Sequence, residues 1–268
     1  MTIAVLTGIF FALPLWWILI SAFRPELDIF RYLDPLSAQS LIPFRLTLDN
    51  LTALFAGTFL RATFNSIFVA AATVIIGLVI SVLAAYALSV LEFRGRGLIF
   101  LIVVVGFLVP FDAVAIPLGE IFTDLSLRNT YAALILPGIG NGLAIFVLRQ
   151  FFIGIPKDLK EAASLDGAGT WRILWQIYVV NSKPALVGAG LILFVFQWQA
   201  YLWPLIVISD DSMQVAPVLL AKLQGQAEYG FDPGQIFAGT LILSIVPIFL
   251  LLRFQKNFVQ SVATSGLD

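Results

Sequence analysis

Between Arg61 and Glu92 the chain carries no charged side chain; the run reads ATFNSIFVAAATVIIGLVISVLAAYALSVL. About 20 apolar residues in a helix cross the roughly 30 Å hydrocarbon core of a bilayer. Other stretches of the chain share this character. The predicted spans are Thr2–Phe23, Thr63–Val90, Leu98–Phe122, Thr130–Ile153, Ala185–Ser209 and Gln235–Phe254. A transmembrane β-barrel would instead alternate apolar and polar residues over about ten residues per strand. Long Leu, Ile, Val and Phe runs therefore predict an all-α membrane protein with six transmembrane helices.

Composition agrees and narrows the chemistry. The chain is 60% hydrophobic and 12% charged, against about 25% charged in soluble domains. It has neither cysteine nor histidine, so thiol chemistry, disulfides, and the commonest general base and metal ligand are all missing. A net charge of -1 and the lack of a basic tail give no footprint for nucleic acid. No G-x-x-x-x-G-K-[ST] phosphate loop is present, so any ATP must be bound elsewhere. These absences argue against a hydrolytic or redox enzyme, and no metal or cofactor site is expected in this chain.

Orientation follows from lysine and arginine in the loops. Arg94 and Arg96 lie between spans 2 and 3. Lys157, Lys160 and Arg172, flanked by Arg149 and Lys183, lie between spans 4 and 5, and Arg253 and Lys256 follow span 6. The opposite side carries Arg128 and Lys222. The long first loop balances Arg24, Arg31, Arg45 and Arg61 against Glu26, Asp28, Asp34 and Asp49. Both termini are predicted to be cytoplasmic in a multi-pass membrane protein. The first span lacks the basic flank and small-residue cleavage site of a signal peptide. A short cytoplasmic head ahead of Met1 is a further expectation. No long linker or tandem repeat breaks residues 1–268, so one membrane domain is expected.

The segment of about 154–180 is unusual in this setting. Its core reads KDLKEAASLDGAGTWRILWQIY. Pro156 suits a first helical position, Asp158 and Glu161 suit the positive end of a helix dipole, and Gly167 is expected to stop the helix. Leu159, Ala162, Ala163 and Leu165 form a small apolar face. Thr170 can cap a second, amphipathic helix bearing Trp171, Ile173, Leu174, Trp175, Ile177 and Tyr178 along the membrane surface. A plain interfacial loop is the competing reading.

The stretch EAASLDGAGTWRILWQIYVVNSKPAL resembles the EAA segment of ABC-importer membrane subunits. Glu161, Ala162, Ala163, Asp166 and Gly167 match that motif. Val180 stands where the family often has proline, so the second helix is expected to be less kinked there. Lys183-Pro184-Ala185-Leu186 resembles the start of the next span. LPLWWILISAFRP, LSLRNTYAALILP, FVLRQFFIGIPKDLKEAASLDGAG and PIFLLLRFQKNFVQSVATSG extend the likeness over nearly the whole chain. The branch is that of carbohydrate-importer permeases, similar to the smaller membrane subunit of the maltose transporter. The resemblance implies a type I ABC importer permease fold, with the helix around Glu161 as the coupling helix. It also implies a second homologous permease subunit, two cytoplasmic ATPase subunits that bind ATP and Mg, an extracytoplasmic solute-binding protein and a sugar-like substrate.

Polar groups inside spans mark a candidate pathway. Asp112 lies between Pro110 and Pro117, which predict a broken helix able to open a cavity; it either faces the pathway or sits hydrated or paired with Arg128 at the outer mouth. In span 5, Gln197, Gln199 and Tyr201 offer hydrogen bonds, and Trp198 and Trp203 offer faces on which a sugar ring can stack. The family often has W-N-E-F there, and this chain has Trp198-Gln199-Ala200-Tyr201, so no family ligand preference carries over. Aromatic-belt and interhelical roles fit these residues equally. Asn65 and Ser66 are read as helix–helix hydrogen-bonding groups. The acidic loop with Asp210, Asp211, Glu228 and Asp232 is expected to face the binding protein. The tail from Gln255 through Lys256, Asn257, Gln260 and Ser261 resembles an ATPase contact. A glycerol-phosphate or amino-sugar cargo fits equally; an ion-driven secondary transporter and a non-transporting scaffold are the rivals from other classes.

Overall fold

The computed structural model describes residues 1–35, 37–225 and 232–263, with side chains as far as residue 255. The described residues are helical apart from turns and connecting loops. The chain divides into two compact units, residues 1–66 with 210–248, and residues 67–209 with 249–268.

In the first unit, α1 (Thr2–Ala22) is apolar all round and leaves most of its side chains outward. In lipid such a helix has no hydrophobic drive to bury one face. It is followed by α2 (Asp49–Ala56), the opening turns of α3 (Phe59–Ser89), α12 (Ala216–Gly225) and the first half of α13 (Pro233–Ala263). Ala22, Leu54, Phe59, Ala62, Ala216, Leu220, Ala238 and Leu241 form the core. Asn50 caps the end of α1, donating through Nδ2 to the carbonyls of Ala22 at 3.0 Å and Arg24 at 2.7 Å. Asn65, expected between helices, instead ties α3 to the loop ahead of α12, while Ser66 joins α3 to the first residue of α12 as expected. Asn65 Nδ2 donates to the carbonyls of Ser212 and Gln214, and Ser66 Oγ accepts from the Ala216 amide.

The second unit holds the rest of α3, then α4 (Arg96–Leu108), α5 (Phe111–Asp124), α6 (Tyr131–Ile135) and α7 (Gly142–Ile153). After these come α8 (Lys157–Leu165), α9 (Thr170–Ile173), α10 (Lys183–Trp198) and α11 (Leu202–Val207). Among the described residues three helices are long and apolar enough to cross a membrane: Thr2–Ala22, Phe59–Ser89 and Pro233–Gln255. Three bent pairs bring the number of spans to as many as six. The third predicted span is thus two helices, α4 and α5, meeting at 96°. Pro110 forces the preceding Val109 into an extended conformation (φ -71°, ψ 121°) and ends α4 there. The fourth bends by 42° at residues 139–141. Thr130 caps α6 through the Ala133 amide, and Asn141 caps α7 through the Ala144 amide.

The fifth span departs most from expectation. Instead of running to Ser209, α10 stops at Trp198, and Leu202–Val207 forms a separate short helix packed on α5 and α6. Pro204 has no amide hydrogen and its ring clashes with the carbonyl four residues back, so a helix through Ala200 cannot continue into it. The expected softening at Val180 is likewise not seen: Thr170–Val179 and Lys183–Trp198 meet at 87°. Pro184, in the first turn of α10, imposes the restart.

Candidate functional site

The EAA segment begins as α8. Pro156 is its N-cap and the helix proper starts at Lys157, one residue later than predicted. Gly167 follows the C-cap residue Asp166 with φ +76°. The Gly167 amide donates to the carbonyl of Ser164 at 3.1 Å, and the Ala168 amide reaches back to the carbonyl of Ala163 at 2.9 Å. This pair of bonds is a Schellman ending, in which glycine takes the left-handed conformation without steric penalty. Helix and stop are therefore one rigid element.

The same residues divide into an inner and an outer face. Ala163 and Ala168 pack against the core of the second unit, and Lys160 Nζ donates to the carbonyl of Val90 at 3.4 Å. Asp158, Glu161, Ala162, Leu165 and Asp166 face outward. Leu165 is 89% exposed. The sequence grouped Leu165 with Ala163 on one apolar face, and the structure separates them. The readable signal was spacing: Asp158, Glu161 and Leu165 recur at three and four residues, which is one helical stripe. An acidic stripe ending in a bare leucine has the chemistry of a docking surface.

Behind α8 the chain makes a short turn through Gly169, which replaces Thr170 as the cap, and enters α9. The helix then widens into a π-helical stretch, Leu174–Val179; such insertions recur at functional positions. Ile173, Leu174 and Tyr178 are buried, while Trp171 and Trp175 stay outside. Tyr178 meets Tyr86 of α3 edge-on at 5.2 Å and Phe152 of α7 at 5.4 Å. Leu148, Ala185, Ala189 and Leu193 complete this core. At interior packing density a displacement of one member is passed to its neighbours, so α8 is mechanically joined to α3, α7 and α10.

The pathway candidates are scattered. Asp112 stands exposed in the first turn of α5. Arg128 spends a guanidinium nitrogen on the carbonyl of Ile206 at 2.9 Å; among the described residues Asp112 has no ion pair with it. Gln197 is half-buried, and its Oε1 accepts from Thr73 Oγ1 at 3.3 Å. Gly138 lies against both side chains, and a Cβ there would come within 2.6 Å of Gln197 Oε1. α3, α10 and the break before α7 thus share one partly buried polar contact, which sequence reasoning missed because Thr73 is unremarkable among apolar neighbours. Trp198 is buried and stacks on Phe194 at 5.4 Å. Trp203 is buried too, donating through Nε1 to the Ala133 carbonyl and meeting Phe111 and Phe122 edge-on. Of the candidates in the fifth span, Gln199 and Tyr201 are exposed. Glu228 and the side chains of Lys256, Asn257, Gln260 and Ser261 lie outside the described residues.

Broken apolar helices, with an exposed rigid helix seated on their core, have the architecture of a membrane transport component. Residues 77–264 match the family described as binding-protein-dependent transport system inner membrane component, and the chain belongs to that family. It is an inner-membrane, multi-pass permease subunit of an ABC importer and performs no covalent chemistry itself.

Among its relatives is the arabinooligosaccharides transport system permease protein AraQ of Halalkalibacterium halodurans. It is 33% identical over 95% of this chain and 90% of its own length. The trehalose transport system permease protein SugB of Mycobacterium tuberculosis is 33% identical over 95% and 91%. A sn-glycerol-3-phosphate transport system permease protein, UgpE of Yersinia pestis, is 32% identical over 75% and 72%. The fold is that of a chain in a bacterial ABC transporter that imports the acidic polysaccharide alginate, with TM-score 0.78, 23% identity, and coverage of 96% and 95%.

Proposed function

We propose that the chain is one half of the translocation pathway of a bacterial sugar importer, working as a single membrane domain with both termini in the cytoplasm. A second, related permease subunit forms the other half. Two cytoplasmic ATPase subunits hold ATP and Mg, and an extracytoplasmic binding protein delivers the cargo. The observation that carries this reading is the exposed stripe Asp158, Glu161 and Leu165 on a helix locked by Gly167. Ala162 lets a partner surface approach closely, Ala163 seats the helix on the core behind it, and Asp166 adds charge at the rim. When the ATPases close, α8 moves with them, and the Tyr178 contacts hand that motion to α3, α7 and α10.

A sugar cargo is supported by the likeness to permeases of arabinooligosaccharide and trehalose systems. Asp112, Gln197, Trp198, Gln199 and Tyr201 are the proposed pathway residues. Gln199 and Tyr201 contact cargo, Asp112 sets the charge of the mouth, and Gln197 and Trp198 hold the helix break in place. A glycerol-phosphate cargo is the second reading, favoured by the UgpE relative. ATP-dependent uptake into proteoliposomes holding the whole assembly tests the proposal. Glu161→Lys is expected to leave the assembly in the membrane and abolish uptake; undiminished uptake would overturn it.

A further inference from the structure

A cavity of about 180 Å³ opens in the first unit beside the end of α1, lined by Arg24, Asp28, Arg31, Tyr32, Gln39 and Arg45, with Pro43 and Phe44 at its edge. Three arginines meet one carboxylate, and that carboxylate is already engaged: Arg31 Nη1 lies 3.7 Å from Asp28 Oδ1. Arg24 is the fixed element. It is 1% exposed. Its Nη2 donates to the carbonyls of Gln39 at 2.6 Å and Ser40 at 2.8 Å, and the guanidinium lies 5.3 Å from the Trp17 ring. Its Nη1 is buried with no hydrogen-bond partner. A buried guanidinium nitrogen without an acceptor is destabilising unless something supplies one.

The surroundings say what can do so. The cavity follows directly on the first membrane-spanning helix, whose end carries Trp16 and Trp17, the residue type that settles at headgroup depth. Trp16 Nε1 holds the loop by donating to the carbonyl of Leu41 at 3.0 Å. That loop then exposes Ile42, Phe44, Leu46 and Leu48, each more than 60% accessible. In water such a row is unfavourable; at a bilayer surface it enters the acyl boundary while Arg45 stays at headgroup level. The cavity has room for a phosphate group and is below the usual size for an oligosaccharide. Guanidinium groups match phosphate oxygens in a planar fork.

We infer that this arginine-lined cavity binds the phosphate of an anionic phospholipid headgroup. The occupant fastens the first loop to the membrane surface beside the spans. The inference requires the loop to lie at a bilayer surface, and not that the importer carry sugar.

The test uses the complete assembly in detergent, with phosphatidylglycerol, phosphatidylcholine or inorganic phosphate as probe. Retained lipid is read by native mass spectrometry and thermal stability in parallel. Phosphatidylglycerol is expected to bind in preference to phosphatidylcholine, and Arg31→Gln with Arg45→Gln to weaken it about 25-fold, near fivefold per arginine. Both side chains are exposed, so the double variant keeps the fold. Equal retention of the two lipids, or an unchanged preference in the double variant, would overturn the inference. Stabilisation by inorganic phosphate as strong as by phosphatidylglycerol would overturn the lipid assignment in favour of a soluble anion. Loss of binding-protein affinity with lipid retention intact would also overturn it and assign the cavity to an acidic protein side chain. ATP-driven uptake, measured alongside, reads the transport role independently of all these outcomes.

Discussion

Leu165 is the most informative residue to change. It is 89% exposed on α8, with little of its side chain covered by the described residues. If α8 docks in an ATPase cleft, that side chain becomes buried on assembly. Leu165→Ala removes three carbons, worth about 0.8 kcal/mol each when taken out of water, or about 2.4 kcal/mol in all. That is about a fiftyfold increase in Kd. The chain's own stability should stay within about 0.5 kcal/mol, as for other surface substitutions. The assay is titration of the purified ATPase subunit onto the membrane subunits in nanodiscs, with the thermal midpoint of those subunits measured beside it. The expected result is weakened binding that excess ATPase restores, at an unchanged midpoint. Unaltered affinity would refute the docking argument, and a lowered midpoint with affinity retained would show that Leu165 packs internally instead.

Other outcomes follow from the same geometry. Gly167→Ala meets open space but forces an alanine to φ near +76°; the strain of about 1–2 kcal/mol should speed hydrogen exchange of the Gly167 and Ala168 amides, and unchanged protection would contradict the Schellman ending. Tyr178→Ala empties the contact between Tyr86 and Phe152 and should destabilise the second unit by about 3–5 kcal/mol, seen as a fall in Tm; an unaffected Tm would mean that the aromatic cluster bears no load. Asp210 accepts from the Ser212 amide at 2.8 Å. Hydrogen bonds from Ser212, with a smaller contribution from Arg61, hold its carboxyl below the usual carboxylate range against slight desolvation. Because the folded pKa is lowered, the stabilisation is present above the unfolded value near 3.8 and is lost as pH falls through the folded one. The protection factor of the Ser212 amide, with the intrinsic pH dependence of exchange divided out, should therefore fall on acidification, and Asp210→Asn should remove that dependence; an identical profile in the variant would refute it.

The reach of the sequence is clearest where a property depends on local chemistry. Apolar runs between charges identify spans whatever their neighbours do, because every backbone group in lipid must be satisfied within the helix. Gly167 ends α8 because glycine turns left-handed without steric penalty. Pro110 breaks the third span by acting on the residue before it. The EAA residues were legible for the same reason: a short polar helix with its own stop is conspicuous between greasy spans.

What escaped was directional. Leu165 and Ala163 looked equivalent until packing turned one inward and the other outward. Trp198 and Trp203 looked like open faces for a sugar ring, yet Phe194, Phe111, Phe122 and the Ala133 carbonyl cover them within the chain. The halt of α10 at Trp198, the polar contact of Thr73 with Gln197, and the spare nitrogen of Arg24 each depend on groups far apart in sequence. Hydrophobicity and backbone preference are properties of a residue and its near neighbours, so the chain alone determined that it is helical, membrane-embedded and carries a short polar helix with its own stop. Which side chains meet, and which are left to meet a partner, depends on how the helices pack, and only the tertiary structure decided that.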